Sequence, residues 1–161
     1  MSGFEKMIYT CLLWVVAYLV TLFITHQTGV GSNVLKHAIK RLSKLRKRCD
    51  NFRDILTAPS FSIKSKKGVI ALSEIVRYQN GIVRILNLYL YDDKNDKDVK
   101  DAKEYVLSVS DYCRKALTLA IEGTSSDIND FFRQVDTRIS SAEALLKKAM
   151  EYDIKSEMLK V

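Results

Sequence analysis

Nineteen positions from Met7 to Thr25, MIYTCLLWVVAYLVTLFIT, carry no formal charge and are mostly apolar. At about 1.5 Å per residue they make a helix of roughly 28 Å, close to the roughly 30 Å hydrocarbon thickness of a bilayer. After a hinge-like run, Thr28-Gly29-Val30-Gly31-Ser32, the pattern becomes a stripe: Leu35, Ala38, Leu42, Leu45, Cys49, Phe52 and Leu56 alternate steps of three and four. That is the spacing of a helix with a narrow packing seam. Ser32 or Asn33 is expected to cap it, and Pro59 to end it by disfavouring helical backbone at Ala58. A polar, basic connection, SFSIKSKKG, occupies residues 60–68. Leu72, Ile75, Val76, Ile82, Val83, Leu86, Tyr89 and Leu90 then predict a helix over Val69 to Tyr91, with a pair of strands as the alternative because of the β-branched content and Gly81. The loop DDKNDKD leads to Val99, Ala102, Val106, Val109, Cys113, Ala116 and Ala120, a helix expected to stop at Gly123. Thr124, Ser125 and Ser126 offer caps for the last seam, Ile128, Phe132, Val135, Ile139, Ala142, Leu146 and Ala149. The fold class is therefore all-α: an N-terminal anchor with a single transmembrane helix in residues 1–28, and a helical bundle of about four helices in residues 29–161.

Charge sharpens the division. Residues 1–28 hold one acid and one base, residues 29–48 hold seven bases and no acid, and residues 49–161 hold eighteen of each, so the whole +7 lies next to the apolar segment. Positive-inside counting puts residues 29–161 in the cytoplasm, and the chain is read as a single-pass protein of the inner membrane. A cleavable signal peptide is the rival reading, but the apolar stretch exceeds the usual length of about 7 to 15 residues, and FITHQTG lacks a small-x-small cleavage pattern. Cys11 falls in the span and Cys49 and Cys113 fall on seams, with no CxxC spacing, which suits a reducing compartment.

The cations divide into two expected sets. Lys36, Lys40, Arg41, Lys44 and Lys47 are assigned to a collar on anionic lipid headgroups, where each contributes on the order of 1 kcal/mol. Lys64, Ser65, Lys66 and Lys67, together with Arg46, Arg48 and Arg53, are assigned to a phosphate-bearing ligand: a helix start offers unbonded N–H groups, and the guanidinium fork grips two oxygens at once. Arg77, Arg84, Arg114, Arg133 and Arg138 are single arginines on patterned helices with the same capacity. Tyr78, Tyr105 and Tyr112 can stack on nucleobases or serve as core. Asp93 to Glu104 only partly matches a calcium loop, because Lys97 and Asp98 stand at positions 5 and 6, so Asp96 or Asp98 is expected to cap the following helix instead. Neither His26 nor His37 has an obvious Ser, Cys or Asp companion, and no phosphate loop, GxGxxG, GxSxG or HExxH occurs. No enzyme activity, cofactor or metal is assigned. Double-stranded nucleic acid is a poor partner for a domain that is neutral beyond the basic run.

Size, the span MIYTCLLWVVAYLVTLFIT, the basic stretch KHAIKRLSKLRKR and the lack of a catalytic set give the chain a layout that resembles small membrane-anchored effectors of type III CRISPR antiviral defence. That resemblance implies a cytoplasmic helical domain that binds cyclic tetra-adenylate, a homo-oligomer such as a tetramer with the cyclic oligoadenylate between subunits, and a defence outcome at the inner membrane. It carries over no site residues. Two other classes fit the same layout: a membrane-tethered scaffold or adaptor that uses the basic segment only for anionic lipid, and a holin-like lysis or pore-forming protein.

Overall fold

The structure is a computed structural model, and it describes residues 2–27, 30–59, 66–92, 96–123 and 127–159. Five helices follow in order: α1, Gly3–Gln27; α2, Val30–Thr57; α3, Lys66–Asp92; α4, Lys97–Glu122; and α5, Ile128–Leu159. Among the described residues there is no strand, so the β-branched run of α3 is helical. Val, Ile and Thr carry only a small intrinsic helix penalty, and burial of one face outweighs it.

Helices α2 to α5 form an up-down-up-down bundle in which α2 packs on α3, α3 on α4, α4 on α5, and α5 back on α2. The core is made where the spacing placed it. Leu35, Ala38, Leu42, Leu45, Cys49, Phe52 and Leu56 of α2 are buried, as are Val99, Ala102, Val106, Val109, Cys113 and Ala116 of α4 and the full seam of α5 from Ile128 to Ala149. Phe52 and Phe132 meet edge-on, with ring centroids 5.8 Å apart. The seams close within one chain, so any association of copies uses other surfaces.

The α3 seam differs from expectation. Ile75, Ile82, Leu86 and Tyr89 are buried, but Ala71 and Gln79 complete the line, while Leu72, Val83 and Leu90 pack beside it. Gln79 Oε1 accepts a hydrogen bond of 2.8 Å from the Ser110 N–H of α4, which satisfies the amide oxygen inside the core.

Chain ends and caps follow local chemistry. α2 stops at Thr57, just before Pro59. Asp96 caps α4 by accepting from the Val99 N–H at 3.1 Å, and Asp98 adds negative charge in the first turn. Gly123, at φ 78°, ends α4 in the left-handed region and donates its N–H to the Ala120 carbonyl. The start of α2 corrects the expected capping: Val30, Gly31 and Ser32 are already helical, so Ser32 and Asn33 lie inside the helix. Tertiary packing overrides the capping preference there. A Cβ on Gly31 would come within 3.1 Å of both Tyr89 and Asp153, so any larger residue there would press these side chains back by a few tenths of an ångström.

α1 stands apart from this core. Every residue from Ser2 to Val20 is exposed, including Trp14 and Tyr18, and the window Gly3–Val20 is long and apolar enough to cross a membrane. Such a helix in water leaves a continuous apolar surface uncovered, which only lipid or another apolar partner removes.

A candidate anion-binding groove between α2 and α3

Arg41 and Arg48 are seven residues apart on α2, and Arg77 and Arg84 are seven apart on α3. Seven residues bring a helix back to nearly the same face, so each pair lines one flank of its helix. Antiparallel packing of α2 on α3 sets the two flanks edge to edge, and the four arginines line one groove of about 690 Å³. Ser73, Val76, Tyr78, Asn80 and Gly81 complete its lining, which includes no acid.

Contacts with α3 hold the α2 arginines in place. Arg41 lies across Gly81 so closely that a Cβ there would stand 2.7 Å from its Nη1. Arg48 sits over the Tyr78 ring, 4.1 Å from its centroid, and its Nη2 donates to the Tyr78 hydroxyl at 3.4 Å. Its Nη1 pairs with Glu74 at the rim of the groove. The hydrogen bond and charge of Arg48, with smaller effects from Lys44 and Arg41, hold the Tyr78 phenol below the ordinary tyrosine range. Several cations therefore act on one half-buried tyrosine, and one acid, Glu74, offsets Arg48 directly. Such an arrangement binds anions, and planar forks aimed from two helices suit an oxyanion-rich ligand.

Other expected site residues lie elsewhere. Arg46 and Arg53 face α5 in a separate groove of about 430 Å³ that also contains Arg133, Asp50 and Asp136. Arg46 pairs with Asp136, reaches Glu143 at 3.5 Å, and donates to Ser140 Oγ at 3.1 Å, while Arg133 pairs with Asp130. Those charges are largely balanced. Lys66 and Lys67 are exposed in the first turn of α3, ten residues before Arg77 and so about 15 Å along the helix from it. Lys64 and Ser65 lie outside the described residues.

Neither families of known proteins, nor curated sequences, nor solved structures give a significant match to this chain.

The expected lipid collar also divides by face. Lys36, Lys40, Lys44 and Lys47 are exposed, whereas Arg41 is half-buried against α3. Sequence reasoning named Arg48, Arg77, Arg84 and Tyr78 separately as capable of holding phosphate or a base, but did not join them to Arg41. The seven-residue spacing within each helix was the available signal.

Two further polar clusters tie helices together. On α4 and α5, Arg138 lies 5.5 Å from the Tyr105 ring centroid and 5.3 Å from that of Tyr112, and donates to the Tyr112 hydroxyl at 3.2 Å. At the end of the bundle where α1 joins, the Tyr89 hydroxyl reaches Asp153 at 2.7 Å and Asp96 at 3.1 Å. Burial, and then the two carboxylates, push that phenol well above its usual range. Among the described residues no cluster of His, Cys, Asp and Glu suits a metal ion.

Proposed function

We propose that this chain is a membrane-anchored sensor whose helical bundle binds a phosphate-bearing nucleotide messenger, of which cyclic oligoadenylate is the candidate implied by the resemblance above. In this reading the bundle is cytoplasmic, the anchor crosses the inner membrane once, and binding is transmitted to the bilayer as part of an antiviral defence. The observation that carries the reading is the convergence of Arg41, Arg48, Arg77 and Arg84 on one groove beside Tyr78. Four arginines match several phosphates, and the half-buried Tyr78, already stacked under Arg48, adds an aromatic edge and a hydroxyl to the same groove.

Lipid headgroups alone account poorly for this set. From Lys36 to Arg48 the basic run rises about 18 Å along the helix, whereas the polar layer on each side of a bilayer is about 5–8 Å deep. With α2 standing upright, the cations nearest α1 serve the membrane, and the arginines farther down are left for a soluble anion. A ligand that replaced Glu74 on Arg48 would favour a different packing of α2 against α3, which supplies the differential affinity that any switch requires.

The test is calorimetry on the full chain in lipid nanodiscs at near-physiological salt, with cyclic tetra-adenylate as titrant. Saturable binding is expected, and Arg84→Glu is expected to weaken it roughly ten- to a hundredfold, since a hydrogen bond to a charged group contributes about 1.5–3 kcal/mol. Absence of binding to the folded, correctly assembled protein refutes the messenger reading. The scaffold reading predicts no binding and no effect of Arg84→Glu.

A further inference from the structure

The end of the bundle that carries α1 is marked by a set of contacts at one level. A Cβ on Gly31 would be 3.1 Å from Tyr89 and Asp153, and the Tyr89 hydroxyl bonds Asp153 and Asp96, so the start of α2, the end of α3, the start of α4 and the late part of α5 meet there. α5 continues six residues past Asp153 to Leu159, about 9 Å beyond that level and toward the side from which α1 departs.

The apolar surface of the bundle is concentrated at this same end. Among its large apolar side chains, the four most exposed are Leu159 at 88%, Tyr91 at 78%, Met158 at 74% and Tyr152 at 73%. All four lie within a few residues of the Gly31–Tyr89–Asp153 level. Tyr152, Lys155, Ser156 and Leu159 share one face of α5, in an arrangement of tyrosine, lysine and leucine suited to a headgroup boundary: the aromatic ring and the aliphatic chain enter the apolar layer while the ammonium stays at its surface. Glu151, also exposed, precedes Tyr152 on α5.

From these positions we infer that the α1-bearing end of the bundle lies on an anionic bilayer surface, with Tyr91, Tyr152, Met158 and Leu159 entering the boundary between headgroups and acyl chains. The inference rests on the reading that α1 is embedded in lipid. It adds a second membrane contact, made by the bundle itself, that fixes the bundle's tilt and holds the arginine groove in water at a set height.

The test is nitroxide accessibility on the full chain in phosphatidylcholine–phosphatidylglycerol vesicles, with Cys11→Ser to remove the exposed native thiol; Cys49 and Cys113 are buried. Single labels are placed through Met158→Cys, Tyr91→Cys, Trp14→Cys as the reference for α1, and Glu122→Cys as the reference for the opposite end. Labels at 158 and 91 are expected to relax more with oxygen than with an aqueous nickel chelate, giving a ratio above unity as at 14, against a ratio below unity at 122. Nickel-accessible labels at 158 and 91 beside an oxygen-accessible label at 14 overturn the docking and leave the anchor standing. Nickel access at 14 as well removes the anchor too. Dipolar broadening at 158 that disappears on dilution with unlabelled chain assigns this end to contact between copies, which also overturns the proposal.

Discussion

Arg41 reaches the backbone of α3 because residue 81 has no side chain. The same glycine weakens α3, since a glycine inside a helix costs about 0.5–1 kcal/mol relative to alanine. Gly81→Ala is therefore expected to raise the thermal midpoint of the bundle slightly while displacing the Arg41 guanidinium and weakening ligand binding severalfold. Paired thermal melts and calorimetry check whether the two properties move in opposite directions. Tyr89 presents a different balance, because its phenol is held in the protonated form by burial and by the Asp153 and Asp96 carboxylates. A folded-state value raised above the unfolded one contributes stability that is complete below the ordinary tyrosine value of about 10 and is lost as pH climbs from there toward the raised value. Tyr89→Phe should remove that contribution, costing about 1.5–3 kcal/mol at neutral pH through the lost hydrogen bonds to carboxylates. Denaturant melts of the two proteins at increasing alkaline pH should then converge.

α2 shows how one helix serves several neighbours. Its seam faces the core, Arg41 and Arg48 lean to α3, Arg46 leans to α5, and Lys36, Lys40, Lys44 and Lys47 remain outside. Phe52→Ala should destabilise the bundle by about 3–5 kcal/mol, because it removes a fully buried ring and its edge contact with Phe132; urea denaturation followed by circular dichroism measures it. The seams of α2 and α5 were legible in full because apolar residues recur there at an uninterrupted three-four spacing, whereas on α4 Ala120 is only partly buried and Ser110 joins the core. α3 was legible as a helix but not in its detail: Gln79 looks like a surface residue in the sequence, and only the Ser110 N–H across the interface makes its burial favourable. The groove was half legible. Residue type identified the arginines, but the direction each takes depends on which neighbour lies beside its flank, and that is a property of the packing order. Assigning Arg41 to the lipid collar joined it to lysines that face elsewhere.

At the scale of the whole molecule, the buried apolar residues among those described belong to α2, α3, α4 and α5, and none of them to α1. A chain spanning residues 30–161 should therefore dissolve without detergent and melt cooperatively with the helical signal of the bundle, whereas the full chain should partition with vesicles; flotation and circular dichroism distinguish the two. Loss of folding on removal of α1 would contradict the separation of α1 from the core. The core that remains has a hidden ambiguity. Seams that repeat every seven residues allow neighbouring helices to slide by one heptad and still find apolar partners, so aliphatic packing alone fixes their relative height weakly. Gln79 breaks the degeneracy, because in a slipped arrangement its amide would leave the Ser110 N–H and face hydrocarbon, at a cost of roughly 1–3 kcal/mol. Gly31 does the same between α2 and α3, since a side chain at that position would crowd the ring of Tyr89. One amide and one missing methyl group thus act as vernier marks, and they keep Arg41 opposite Gly81 and Arg48 opposite Tyr78 rather than a heptad out of step.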